Sequence, residues 1–468
     1  MIIDTHPVAS DRKKYRKLSC GVALVILCCT GCSTTSRELT YDNTVHVAQN
    51  PLSKTYALGW RIKTFWTEEA VSLWRRNISL RCLRFKDAPE LTTVPEVMDR
   101  QIMAGWLERK AGPPVAGDAQ LILNGDAFFP LFEKAIMGAT NQIHLKTYLF
   151  DNDDVAKSIA DVLKLRSRDI NIRILYDSTG TRLSWNANAP SLPTNYTYEV
   201  YDMIRYLGKD SRITLRRANH TFFTSEHSKY FLIDQHTAFF GGMNIGREYR
   251  YDWRDAMFEL QGPVVNELEL HFENAWVIAE GGTPKATRTP TTNSVQGGDL
   301  YLIQTTPLKA HIYAGQLRAI RNAKQSIYIE NPYLWNTSIV YALCAARKRG
   351  VDVRVTIPSA VNHNIGISAN KQTVQRLLDH GVRVFIYTGM THVKAAVYDQ
   401  WACFGSANFD DLSLHKNYEL NIFTDNHAIV RQIKQDLLEG GQRASTEIYT
   451  AEELSFLEML TARMAQYL

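Results

Sequence analysis

The segment His227-Ser228-Lys229-Tyr230-Phe231-Leu232-Ile233-Asp234 is followed, after six residues, by Gly241-Gly242-Met243-Asn244. It returns as His392-Val393-Lys394-Ala395-Ala396-Val397-Tyr398-Asp399, followed after five residues by Gly405-Ser406-Ala407-Asn408. Each His–Lys pair opens an apolar strand, and each glycine pair closes another (Thr237–Phe240 and Trp401–Phe404). Residues i and i+2 of a strand face the same side, so the imidazole and the ammonium of each copy point into one place. The glycines allow close backbone approach to an anion and offer amide donors. Asn244 and Asn408 add side-chain donors from the neighbouring strand end. Imidazole, ammonium and amide groups converging on one spot are suited to a tetrahedral phosphate, with Gly242 and Ser406 expected beside the two asparagines as phosphate-binding positions.

Outward from the first motif the chain alternates strands and helices. Leu121–Leu123, Gln142–Phe150 and Asn171–Tyr176 read as strands, while Gly125–Met137 and Asp153–Leu165 have helical apolar spacing. The same order returns as strands at Leu300–Gln304, Gln325–Glu330 and Val351–Ile357, with helices at Gly315–Asn322 and Ser338–Lys348. The period is about 165–185 residues. This predicts an α/β protein of two similar halves, residues 116–280 and 300–468, joined by the Gly-, Thr- and Pro-rich linker 281–299. Residues 32–115 form a lead-in holding Trp60, Trp66, Trp74 and Trp106 among several arginines. That mixture suits either a membrane interface or, as the preferred reading, a helix packed across the catalytic body.

The two segments resemble the HKD motifs of the phospholipase D superfamily. Gly241-Gly242-Met243-Asn244-Ile245-Gly246, Trp253-Arg254-Asp255, Gln261-Gly262-Pro263-Val264-Val265 and Gly405-Ser406-Ala407-Asn408-Phe409-Asp410 are similar to its bacterial cardiolipin synthase and phosphatidyltransferase branch. The one departure is the five-residue gap after Asp399, where six is usual. The resemblance implies two phospholipase D-like α/β/α sandwich halves sharing one pseudo-twofold active site that needs no metal or cofactor. In it His227 is expected to attack phosphorus and become phosphohistidine, and His392 to act as general acid and base. Lys229, Lys394, Asn244 and Asn408 are expected to neutralise charge on the phosphoryl oxygens. Asp234 and Asp399 complete the motif set counted as catalytic, although on strands they are expected to pin the turn rather than join the chemistry. Asp255 and Glu419 follow their histidines at matching distances and, by analogy, orient the imidazoles, each the one in its own half.

Apolar residues make up 45% and charged residues 22% of the 468, which excludes a disordered chain and a polytopic membrane protein. The formal charge is +5, and residues 1–31 supply +3 of it through five basic and two acidic side chains. The rest is too nearly neutral for a nucleic-acid surface, so no nucleic-acid partner is expected. Residues 1–31 read as a lipoprotein-type signal peptide: the basic cluster Arg12–Lys17, the apolar run Leu18–Cys29, then Thr30-Gly31-Cys32. Cys32 is the expected lipidation site. The location expected is the cell envelope, exported and membrane-anchored at the periplasmic face, and Ser33 rather than Asp after Cys32 resembles an outer-membrane address. Cys82, Cys344 and Cys403 show neither disulfide nor metal-ligand spacing and read as buried apolar residues. Arg216, Arg217, Arg247 and Arg250 crowd the first motif, as a solvated face or as a dock for lipid phosphates. The expected partners are a phospholipid substrate and a membrane surface, and one chain suffices for one site. The activity expected is phosphatidyl transfer of the cardiolipin synthase kind, with phospholipase D hydrolysis as the alternative and an exported nuclease as a lesser one. Intact His, Lys and Asn in both copies argue against a catalytically dead scaffold.

Overall fold

Two short parallel β-strand runs, each needing helical crossovers, organise both halves. The computed structural model describes residues 90–91, 96–186, 189–218, 224–284, 299–362 and 364–465. The expected signal 1–31, Cys32, Cys82, most of the lead-in and most of the linker lie outside the described residues. In the first half, the strands are β1 (Asp118–Leu123), β2 (Gln142–Thr147), β3 (Asn171–Tyr176), β4 (Thr214–Arg217), β5 (Lys229–Ile233), β6 (Thr237–Gly241) and β7 (Ala256–Gln261). They lie in the order β1-β7-β6-β5-β2-β3-β4, with β2, β3 and β4 parallel. The second half adds β8 (Leu300–Thr306), β9 (Lys309–Ala310), β10 (Ser326–Glu330), β11 (Asp352–Pro358), β12 (Arg383–Tyr387), β13 (Ala395–Tyr398), β14 (Trp401–Gly405), β15 (Glu419–Thr424) and β16 (Ser445–Ile448). Its order is β16-β12-β11-β10-β13-β14-β15-β8-β9. Without the edge strands β16 and β9, the second sheet repeats the first strand for strand.

The crossover helices begin where the sequence supplies a cap. The Asp153 carboxylate accepts the Ala156 amide (2.8 Å) at the start of Asp154–Arg166. Asn336 accepts the amides of Ser338 and Ile339 (3.1 Å each) at the start of Thr337–Lys348. Such caps satisfy amides that have no partner within the helix. These helices bury Val155, Ile159 and Leu163 on one outer sheet face and Ile339, Leu343 and Cys344 on the other. A third apolar cluster joins the inner faces of both sheets, with Tyr230, Phe240 and Phe258 against Val393, Val397 and Phe404. The rings of Phe258 and Phe404 have centroids 4.0 Å apart. The helix Pro263–Ala279 and residues Ile429–Leu438 fill the rest of this middle layer.

One difference from the sequence reading bears on the site. The strand expected to run to Phe150 ends at Thr147, and its counterpart ends at Glu330. The cause is a competing partner: Asn244 Oδ1 takes the Leu149 amide (3.2 Å) and the Thr147 hydroxyl (3.3 Å), drawing the chain off the sheet. This carries Tyr148 over the site. Within the lead-in, the helix Arg100–Ala111 buries Met103 and Leu107 in the outer core of the second half. Among the described residues, no helix is long and apolar enough to cross a membrane.

Candidate active site

The two histidines meet through a reciprocal exchange between the halves. The His227 amide donates to the Tyr418 carbonyl (2.9 Å), and the His392 amide donates to the Arg254 carbonyl (2.6 Å). Each of those carbonyls belongs to the residue preceding an acidic side chain of the opposite half. His227 Nδ1 therefore lies 2.7 Å from Glu419 Oε1, and His392 Nδ1 lies 2.7 Å from Asp255 Oδ2. This corrects the expectation that each imidazole is held by the acceptor of its own half: both clamps cross. With the Nδ1 proton directed at a carboxylate, each Nε2 is left as the reactive nitrogen.

Lys229 Nζ donates to the His227 carbonyl and Lys394 Nζ donates to the His392 carbonyl (2.7 Å), so both ammonium groups stay beside their rings. Lys229 is completely buried and Lys394 almost so. Burial lowers Lys229 to about 7 and Lys394 to about 8, partly offset by the site carboxylates, Glu419 foremost for Lys229 and Asp255 for Lys394. Burial also holds His227 below its ordinary value, with Glu419 pulling the other way. His392 lies well below its ordinary value through burial and the charges of Lys394, Lys229 and His227. The carboxylates differ. Burial opposes the charge of Glu419, but His227, Lys229 and the Ser406 hydroxyl outweigh it and hold its pKa low. Burial pushes Asp255 up to about 7 against the pull of Lys394.

Aromatic rings wall the site. Tyr148 meets His227 edge-on (4.8 Å between centroids) and lies under Lys229 (5.2 Å). Tyr249 (5.5 Å) and Trp253 (5.2 Å) flank His392. Sequence reasoning missed these rings, although Tyr249 and Trp253 sit between the glycine turn and Asp255. It also missed Asp410, buried beside the Asn408 amide, where burial raises its carboxyl to about 7.

Other expected residues take different places. Gly242 supports an acceptor: a β-carbon there would lie 2.5 Å from Asp255 Oδ1, so only glycine leaves room for that carboxylate. The Ser406 hydroxyl, at the matching position, donates to Glu419 Oε2 (2.5 Å). Both positions thus serve the histidine clamps. Asn244 donates through Nδ2 to the Tyr249 hydroxyl (2.9 Å). Asp234 and Asp399 are not brought to the imidazoles. Asp234 accepts the amides of Thr140 (2.6 Å), Asn141 (2.7 Å) and Gln142 (2.9 Å). Asp399 accepts those of Met98 (2.8 Å), Lys324, Gln325 and Ser326 (2.9 Å each). A strand rises about 3.3 Å per residue, which sets Asp234 roughly 16 Å beyond Lys229. Arg216, Arg247 and Arg250 are paired with Glu280, Asp154 and Glu133. Cys344 and Cys403 are buried, which raises both thiols to about 12.

The sequence matches the family described as "Cardiolipin synthase, PLD-like domain" over residues 132–276 and 317–439, more than half of the chain. The chain belongs to that family. Both stretches of the family match contain one motif and one crossed acceptor, so membership and geometry meet at the same residues. Among curated relatives, the chain is 29% identical over 341 residues to a cardiolipin synthase of Halalkalibacterium halodurans, an alignment covering 69% of this chain and 66% of that protein. It is 30% identical over 344 residues to a cardiolipin synthase of Staphylococcus aureus, covering 69% and 67%. The chain thus spans about two thirds of the length of these relatives, and just under that for the first. A solved phosphatidylserine synthase of Haemophilus influenzae Rd KW20 has the same fold, with a TM-score of 0.55 at 11% identity, covering 77% of this chain and 96% of that one.

Proposed function

We propose that the protein is a membrane-associated phosphatidyltransferase of the cardiolipin synthase kind, working through a phosphohistidine. The observation that carries this reading is the pair of crossed imidazole–carboxylate clamps flanked by two buried lysines. His227 Nε2 attacks phosphorus as the bond to the leaving alkoxide breaks, and His392 delivers a proton to that oxygen. The acceptor alcohol then gives its proton to His392 and attacks phosphorus, and the P–N bond breaks. The difference between the clamps supports this division of roles. An ionised Glu419 strengthens a nucleophilic His227, whereas Asp255, titrating near 7, lets the His392 pair take up and release a proton near neutrality. The lysines face the phosphoryl oxygens as negative charge grows there.

The test is incubation with phosphatidylglycerol vesicles followed by mass analysis of the lipids. Cardiolipin and glycerol are expected, and His227→Ala and His392→Ala should each lower the rate by about 10²–10⁴-fold. Phosphatidic acid without cardiolipin would mean that water is the acceptor. Cleavage of single-stranded DNA with lipids untouched would overturn the reading. We propose also that Cys32 carries the membrane anchor at the cell envelope, supported by the basic and apolar run before it. Acyl labelling should vanish in Cys32→Ala, and labelling that persists would refute the assignment.

A further inference from the structure

The helix Phe456–Ala465 turns its apolar side to solvent. Phe456 is 79% exposed, Leu457 70%, Leu460 48% and Met459 40%. At 100° per residue these four fall on one arc of the helix. The charge at Glu458 is taken up locally, by the Ser455 amide (2.9 Å) and hydroxyl (2.8 Å) and by Lys371 (3.3 Å). A helix normally places such residues inward, so an exposed apolar arc indicates a surface with an apolar partner.

The other side of this helix shows where the arc lies. Ala465 is fully buried in a small apolar cluster with Tyr333, Trp335, Ala369 and Met390, and Trp253 packs against the same cluster. Trp253 is the ring 5.2 Å from His392. The helix therefore packs on the same side chains that wall the reactive imidazole. Ile365, on the adjoining helix Asn364–Leu378, is also exposed.

We propose that the helix Phe456–Ala465 inserts this arc into the phospholipid surface from which the site draws its substrate, docking the mouth of the site on the bilayer. The proposal rests on the reading that the substrate is a phospholipid. A bilayer fits the arc because an interfacial helix needs an unbroken apolar face, and because the helix packs on the cluster that holds Trp253 beside His392, which sets it close to the proposed phospholipid site.

The test compares the full chain carrying Cys32→Ala, which removes any acyl anchor, with the same chain also carrying Phe456→Ser, Leu457→Ser and Leu460→Ser. Flotation uses vesicles of phosphatidylglycerol and phosphatidylcholine in equal parts. Turnover is measured on those vesicles and on soluble dihexanoyl phosphatidylglycerol. Vesicle binding and vesicle turnover are expected to fall by about tenfold or more, with turnover of the soluble lipid within about twofold. That retained turnover also shows that the variant is folded. Unchanged vesicle binding overturns the docking role while leaving the proposed function standing. A parent chain inactive on both lipids overturns the function instead. A dimer that the three serines dissociate, with vesicle binding unchanged, would assign the arc to self-association and also overturn the proposal.

Discussion

Lys229 and Lys394 hold their protons weakly because burial penalises the charged form more than the site carboxylates favour it. As pH rises through 7 to 8, the free enzyme loses positive charge where the proposed phosphodiester substrate binds. We therefore expect kcat/KM to fall above about pH 8. A bound phosphodiester anion raises both lysine pKa values, so the basic limb of kcat should lie at higher pH; coincident limbs in the two profiles would refute this. In the proposed mechanism the proton held by the His392–Asp255 pair near 7 is the one the leaving alkoxide takes, so its loss steepens the basic limb. Asp255→Asn should lower kcat about 10²–10³-fold, with little change in Tm. A kcat unchanged by that substitution would refute the role of the clamp. The His–Lys pairs were readable because spacing on a strand dictates which side chains share a face, whereas Asp255 and Glu419 followed from the resemblance. Their partners were not readable. The crossing of Asp255 to His392 and Glu419 to His227 depends on how two sheets meet, and no local pattern encodes that.

At the scale of elements, the segment carrying Asp255, just before β7, is tied into the second half by a buried ion pair. Arg254 Nε donates to Glu330 Oε1 (2.9 Å), Nη2 donates to the Leu437 carbonyl (2.7 Å), and Thr391 beside His392 donates to the same Glu330 oxygen (2.5 Å). Removing one partner leaves an uncompensated buried charge, at a cost of about 3–5 kcal/mol. Arg254→Met and Glu330→Met should each lower Tm and activity together, while Arg254→Met/Glu330→Met should recover part of the stability. A double variant as unstable as the sum of the two singles would refute the coupling. The missing residue after Asp399 is explained at this scale too. The first hairpin turns through Asp234-Gln235-His236 and the second through Asp399-Gln400, so the shortening lies in the turn. Lys229 still pairs with Gly241, and the Gly405 amide still reaches the Lys394 carbonyl (3.3 Å). Helix positions were read to within a few residues, except that the helix ending at Asn322 begins at His311 rather than Gly315.

At the scale of the molecule, the halves are cemented by a shared apolar layer. Phe404, fully buried between Phe258 and Phe240 (6.1 Å), is its centre. Phe404→Ala should cost about 3–5 kcal/mol, and unlike Asp255→Asn it should reduce Tm and turnover in parallel. An unchanged Tm would mean that the layer is not what joins the halves. The duplication was legible because the same order of strands, helices and motif recurs. The apolar inner faces of the sheets were legible only as strands, since an alternating or continuous apolar run does not say what lies opposite.

The crossed clamps carry one more consequence. Each copy of the repeat presents a ring whose proton acceptor is encoded by its sibling, so neither can be excised, exchanged or left to drift without disarming both. Selection must act on the pair as a single inheritance.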